Sequence, residues 1–546
     1  MKKILFALLA VLPLFTACIE DDGNYNYTET AEISIENIPQ LTEVLAYVDH
    51  VKLSPRFISS IEGEIKPNDP NYTVQYRFGH KGMGSMGVDS VAMKSIVWED
   101  WTPASGFDID HHVEYSTGAY LLWVTITDNR NGSVTSKQFE ITIGSTTYEG
   151  WLVLCDEGSD ERVRLDMISK ISSTRTEAVH DIAAGLPLLH HATCIHPFTQ
   201  GSTPGDQVYL FSREGSYQLD AESLESEPEL EYNNLRFSFD PGETIIKEDL
   251  LAGSTDGWLQ KYKVCFGETG NAYLFADGTY GACFSLPINT TVEGGQPEFR
   301  VAPYMGYNWT RPWDASYASN ILFYDIDNRR FMVFLGGTDF ADDGRLQLNV
   351  IADPTASEPQ LFSYSTGKDF VYMQSTRRSN GLVYAILQDP ATGKRSIYGI
   401  NLGGSTIVQE LFIDNVDAPG FEQATQFAFD NRFPLLFYSV GSKLYLYNLG
   451  TKQAKELETG LGSDEITKLK FNLYRAPDYS NLANQSEEFM NQQYRLTVCS
   501  YNSGDVNGGK VTFYDVDGVS NNITKGEQYA GFAKIVDIAY REREND

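Results

Sequence analysis

LFYDIDNRRFMVF, residues Leu322 to Phe334, consists of two apolar runs flanking a polar turn. Asp325 and Asp327 alternate before Asn328 as in the front half of a calcium loop, and a second copy of that half, FYDVDG, runs from Phe513 to Gly518. An EF-type loop needs further oxygen ligands and a closing glutamate, and neither follows. Asp, Asn and Gly also serve tight turns, because they tolerate left-handed backbone and bond to nearby N–H groups. At Tyr447-Asn448-Leu449-Gly450-Thr451 the same place holds one amide and no second carboxylate, which a turn tolerates and a metal site does not. The acidic pairs are therefore read as turns that end a strand, not as metal ligands.

Working outward, hairpin-like units of this kind start near Glu149 (EGWLVLCDEGSDERVRLDM), Asp206 (DQVYLFSREGSYQLDAES), Asn271 (NAYLFADGTYGACFSLPI), Ala318, Gly381, Pro434 and Tyr494. They recur at intervals of about 50 to 65 residues, a self-similarity that marks propellers and other repeat folds. Each unit is read as one blade, which makes residues 147–546 a seven-bladed β-propeller. Ala533–Tyr540, AKIVDIAY, follows the seventh unit and is expected to close the ring beside the Trp151 unit, removing the open edges of a linear array.

Composition agrees with an all-β chain of more than one domain. The 546 residues exceed what one core usually serves, and 32 Tyr with 30 Phe suit half-buried strands. The formal charge of −32, from 74 acidic and 42 basic residues, excludes nucleic acid as a partner, since phosphate recognition needs a basic surface.

The first 18 residues, MKKILFALLAVLPLFTAC, carry two lysines, an apolar run from Ile4 to Phe15 and small residues before a cysteine. That run is too short to span a bilayer stably, so it reads as a secretory signal. Leu14-Phe15-Thr16-Ala17-Cys18 resembles a bacterial lipobox, with Phe15 where Leu is more usual, which makes Cys18 the lipidated first residue of the mature chain. Glu20, Asp21 and Asp22 resemble the acidic export signal of lipoproteins that face the cell exterior, so the expected location is the outer membrane, with contact through the lipid alone. Residues 19–32 form a polar tether. The remaining cysteines, Cys155, Cys194, Cys265, Cys283 and Cys499, have no disulfide framework. Cys155 and Cys499 sit in apolar strands as small buried hydrophobes. A Cys265–Cys283 pairing across a hairpin is left for the structure to decide.

Residues 33–146 alternate short strands with Gly, Pro, Asn and Asp clusters. In the clearest hairpin, Tyr120, Leu122, Val124 and Ile126 face a core, Asp128–Gly132 turns the chain, and Phe139, Ile141 and Ile143 return. This predicts an immunoglobulin-like β-sandwich without the antibody cysteine pair. The order of lipobox, acidic run, GNYNYTE, the hairpin from Gly118 to Ile143 and Tyr148-Glu149-Gly150-Trp151-Leu152-Val153-Leu154 resembles the PKD-like family of outer-membrane lipoproteins. The usual Trp-Asp-Phe-Gly is replaced by Tyr76-Arg77-Phe78-Gly79. What the resemblance implies is an accessory role beside a SusC/SusD-type TonB-dependent importer of nutrients.

Candidate sites are few. HHATCIH offers His190, His191, Cys194 and His196, but no structural-zinc spacing is matched, and buried hydrogen-bonded imidazoles are the simpler reading. Ser254-Thr255-Asp256-Gly257-Trp258 resembles a sialidase Asp box but occurs once. No HExxH, GxSxG or P-loop is present, so no cofactor and no catalysis are expected. The alternative is a surface glycoside- or peptide-cleaving enzyme using a hidden carboxylate pair. The strongest binding candidate is the aromatic stretch holding Tyr304, Tyr307, Trp309, Arg311 and Trp313. Its rings suit stacking on sugars or peptide side chains, and its arginine suits a carboxylate; filling blade interfaces is the competing reading. An oligopeptide or a glycan is the expected ligand, with docking on the importer as the other role.

Overall fold

A computed structural model describes residues 31–39, 41–46, 49–81, 96–115, 118–171, 175–200, 203–221, 223–251, 261–277, 286–291, 299–307, 320–335, 346–355, 359–380, 382–402, 406–472 and 493–541. The chain divides into two compact units, Met1–Gly144 and Ser145–Asp546. Among the described residues no helix is long and apolar enough to cross a membrane.

The first unit is a β-sandwich. One sheet runs in the order Leu41–Leu45, Ser133–Gly144, Gly118–Asp128, Tyr72–Lys81, Ile96–Trp98, and the other holds Ile33–Glu36, Arg56–Ser59 and Gly63–Glu64. A two-stranded ribbon of His50–Leu53 and Ile109–His112 completes it. The long hairpin has the expected register, with Tyr120 opposite Ile141 and Leu122 opposite Phe139. Its alternate side chains Leu122, Val124 and Ile126 are fully buried against Phe57, Val74 and Phe78. Leu41–Leu45 adds to the hairpin in parallel, where every other neighbour in that sheet is antiparallel.

The second unit is a seven-bladed propeller of seven small sheets. Blade 1 is ordered Lys534–Arg541, Gly150–Glu157, Arg162–Lys170, Thr176–Val179 from the inside outward. The innermost strands of blades 2, 3, 5, 6 and 7 are Ala192–Gln200, Ile245–Leu251, Asp369–Ser375, Gln426–Phe429 and Glu465–Lys470. In blade 4 that place is taken by residues 301–306, bridged through Val301 to Asp325 and through Gly306 to Leu322. Gly306 is required there, because a Cβ would stand 2.6 Å from Val383 Cγ1 in the next blade. Both faces of the middle strands are covered by neighbouring blades, which is why GWLVLC and LLFYS are apolar without alternation and buried throughout. Trp151 and Ile538 pack with Phe513 of blade 7, and Tyr384 of blade 5 packs with Phe429 and Tyr438 of blade 6.

The closing strand lies where expected. Trp151 pairs with Tyr540, Leu152 with Ala539 and Val153 with Ile538, antiparallel, so the C-terminal strand is the inner strand of the first blade.

Two expectations are corrected. The third hairpin begins one strand earlier than the Asn271 unit, at Lys261–Gly267, where Lys263, buried beside Glu248, interrupts an apolar run. The acidic turns are also not equivalent. In blade 4, Asp325 closes the turn between the second and third strands, its Oδ1 accepting from Asp327 N–H (3.1 Å) and Asn328 N–H (2.9 Å). In blade 7 it is the second aspartate, Asp517, that accepts from Val519 N–H (2.9 Å), and in blade 6 Asn448 accepts from Gly450 and Thr451 N–H (3.0 Å each); both turns join third and fourth strands. Successive turns of an antiparallel meander lie at opposite ends, so one sequence motif serves both ends of the propeller.

Candidate functional site

The inner strands share a feature that no pattern in the sequence announces. In five blades the register with the second strand slips by one residue, leaving Val536, Thr193, Ile246, Val371 and Thr467 as bulges in blades 1, 2, 3, 5 and 7. A bulge bends the strand and re-aims the side chains beside it, and bulges are frequent next to functional sites. All five bulge residues line one cavity of about 790 Å³, and every blade contributes to its wall. It is the central channel of the propeller.

The residue after each bulge belongs to a ring around this channel: Asp537, Cys194, Lys247, Tyr372 and Lys468, with Tyr304 and Phe427 filling the places of blades 4 and 6. Neighbours in the ring touch. Lys468 Nζ lies 3.2 Å from Asp537 Oδ1, Lys247 Nζ lies 4.3 Å over the Tyr304 ring, and Tyr304 packs on Tyr372 (5.6 Å) and Tyr372 on Phe427 (5.7 Å). One arc is therefore polar and charged, through blades 7, 1, 2 and 3, and the opposite arc is aromatic, through blades 4, 5 and 6.

Asp537 anchors the charged arc. A second ammonium, Lys470 Nζ, reaches the same oxygen at 3.1 Å, and Ile195 N–H donates to the other at 3.3 Å. Burial alone would raise the Asp537 pKa, but the two ammonium groups override it and hold the carboxyl well below the usual range. Burial likewise opposes the Lys468 ammonium, and Asp537, then Tyr304, keep it more basic than an ordinary lysine. The lysine side chains remain 29% and 32% exposed to the cavity while Asp537 is 7% exposed, so the cations face the space and the anion lies beneath them. Beside them, Glu248 is buried, yet Lys263 and the His196 hydrogen bond (2.7 Å) bring it down to about 2. Cys194 is pushed up to about 12 by burial and by Asp537, which keeps it a thiol. At the channel wall Asp156 is raised to about 6 by burial, against the Ala192 N–H bond that it accepts at 2.9 Å.

The sequence candidates fall in different places. Tyr304 and Tyr307 line the channel, Tyr304 through its ring contacts and Tyr307 as a 5% exposed member of the blade core whose N–H donates to Ser375 Oγ at 2.9 Å. Trp309, Arg311 and Trp313 lie outside the described residues, as do Cys18, Glu20, Asp21, Asp22, Cys283 and the Ser254–Trp258 box. The Cys265–Cys283 pairing is thus not described, whereas Cys155, Cys194 and Cys499 are free and buried. The histidines of HHATCIH do not converge. His190, His191 and His196 each meet a different carboxylate, Glu214, Glu161 and Glu248, and only His196 reaches the channel. His191 is half exposed and His190 and His196 are only partly buried, so the hydrogen bonds are as expected but the full burial is not. Among the described residues no group of three His, Cys, Asp or Glu side chains is placed to hold a metal.

Asp537, Lys468 and Lys470 were not foreseen as site residues. They sit in the strands AKIVDIAY and EITKLK, where charges two or three residues apart among apolar residues look like those of any half-exposed strand.

The PKD-like family model matches residues 18–186, the sandwich and the start of the propeller. A search of curated proteins gave no match. Among solved structures, the chain is similar to a quinonprotein alcohol dehydrogenase-like protein from Bacteroides thetaiotaomicron (12% identity, TM-score 0.37, covering 94% of this chain and 100% of that one). It is also similar to a protein from Lactobacillus plantarum (12%, TM-score 0.41, 72% and 99%) and to a DUF4784 family protein from Bacteroides caccae (10%, TM-score 0.31, 78% and 95%). The propeller assignment rests on the seven sheets and their closure, not on these likenesses.

Proposed function

We propose that this chain is a surface-exposed outer-membrane lipoprotein, anchored through Cys18, that captures an oligopeptide or glycan in the propeller channel as a non-catalytic accessory of a SusC/SusD-type importer. The observation that carries the capture role is the ring: a cavity of about 790 Å³, of a size suited to a small ligand, to which each blade lends its inner strand. Chemistry is disfavoured by the protonation states of three groups around it, while Asp156, at about 6, retains the capacity to exchange a proton. A lysine held as ammonium is no nucleophile, a thiol at about 12 is no thiolate at neutral pH, and Glu248 at about 2 stores no proton to give. The anchoring is supported by the N-terminal motifs, and the importer partnership is what the resemblance to PKD-like lipoproteins implies. The test is purification of the tagged full chain from its own membranes in mild detergent, followed by mass spectrometry. A TonB-dependent barrel and its lipoprotein lid in stoichiometric amounts are expected, and a chain that purifies alone would overturn the partnership.

A further inference from the structure

The ring's chemistry narrows the ligand. Resting on the reading of the channel as the capture site, we infer that it selects a ligand bearing a carboxylate next to a ring with an apolar face, with the carboxylate on Lys468 and Lys470 and the ring against Tyr304 and Tyr372. Lys468 and Lys470 share the single carboxylate of Asp537, so that stretch of the wall is locally positive, while the other cations of the lining, Arg213, Lys247 and Lys534, are equalled in number by Asp156, Asp249 and Glu465. Glu248 does not restore the balance, because it is already engaged by His196 and Lys263. The two lysines on Asp537 keep about a third of their side-chain surface open to the cavity, and Lys470, which also donates to Ile538 O, retains a third N–H beyond these two bonds. A cavity focuses the field of that ammonium pair on whatever enters.

The aromatic arc explains the second half of the specificity. Tyr304 and Tyr372 meet at 5.6 Å with their planes at 71°, so together they form a corner rather than a flat stack. Lys247 over the Tyr304 ring and Phe370 behind it (5.2 Å) fix that corner before any ligand arrives. A sugar or aromatic ring seated there would lie on the arc facing the ammonium pair, Tyr304 and Tyr372 standing three and two blades from Lys468. That geometry fits a uronic acid residue of a glycan or the carboxyl end of a peptide finishing in an aromatic residue, which share this chemistry.

Calorimetric titration of the full chain separates the sources. The probes are trigalacturonate and its methyl ester, Gly-Gly-Phe and its C-terminal amide, and spermidine as a cation control. One of the two free carboxylates should bind about tenfold or more tighter than its neutral partner, with affinity falling as salt rises, and spermidine should not compete. Lys470→Met should abolish most of that difference. Asp537→Asn, which keeps an acceptor and releases both ammonium groups, should raise carboxylate affinity several-fold and leave the neutral partner unchanged; thermal unfolding of both variants is recorded alongside. Should Lys470→Met unfold the propeller, Lys470→Gln and Tyr304→Ala provide the same reading. Equal binding of acid and neutral partner, preferential binding of spermidine, or binding of none of the five probes would overturn the inference. The first of these would leave channel capture standing, and a copurifying importer would leave the accessory role standing.

Discussion

Truncation after Ala533 removes the closing strand and should unfold the propeller. The loss can be worked from burial. Ile535, Ile538 and Tyr540 are 1%, 0% and 7% exposed, and burying such side chains contributes about 1.5–3 kcal/mol each, so roughly 5–9 kcal/mol goes with them. The ladder from Gly150 to Asp156 goes too, leaving an unpaired strand edge, and Trp151 loses the Tyr540 ring that it meets at 4.7 Å. A folded domain is stable by only about 5–15 kcal/mol, so the truncated ring should have little or no margin. Ile538→Ala alone should cost about 2–5 kcal/mol, while Val519→Ser, at a position 91% exposed, should stay within about 0.5 kcal/mol of wild type. Denaturant unfolding gives the free energies, and hydrogen exchange along Gly150–Glu157 reports the edge directly. Cooperative unfolding of the truncated chain at the wild-type midpoint, with that strand still protected, would refute the closure.

Asp325→Ala should cost about 1–3 kcal/mol through the lost turn and the unpaired Arg330 (2.9 Å), with the same unfolding temperature in calcium and in chelator; a calcium-dependent shift in wild type would restore the metal reading. Acid should weaken the channel wall: Glu248 has a folded value of about 2, below its reference of 4.5, so its stabilisation is full above about pH 4.5 and is lost as pH falls towards 2. Asp156 runs the other way, its folded value of about 6 lying above 3.8, so its contribution is full below about pH 3.8 and is lost as pH rises through 6. Asp156→Asn should therefore be more stable than wild type at about pH 8 and lose that advantage by about pH 4, and a constant difference across that range in calorimetric scans would contradict the assignment. Cys18→Ala should release the chain from the membrane fraction, and alanines at Glu20, Asp21 and Asp22 should abolish protease access on intact cells; membrane retention of the first or unchanged access in the second would sink the respective reading.

The hairpins were legible because both faces of a blade's middle strands are buried, which writes them as dense apolar runs broken by Asp, Asn and Gly. The closing strand was legible for the same reason, Ile535 and Ile538 being core residues beyond the seventh hairpin. The inner strands were not. Their bulges fall on Val, Thr and Ile, residues that any strand uses, and a slip of register exists only between two strands. The ring that depends on those slips was hidden with them. Tyr304 was singled out for aromatic density and does face the channel, but it stands on the innermost edge of a blade rather than on a free loop.

The measurement that bears most directly on the account is hydrogen–deuterium exchange of the full chain with and without a saturating pool of the oligogalacturonate and oligopeptide probes. Capture in the channel predicts new protection concentrated on Glu465–Lys470, Asp369–Ser375 and residues 301–307, with the outer strands of the same blades unchanged. Protection confined to the sandwich or to the outer blade edges, with those inner strands exchanging as before, would contradict it.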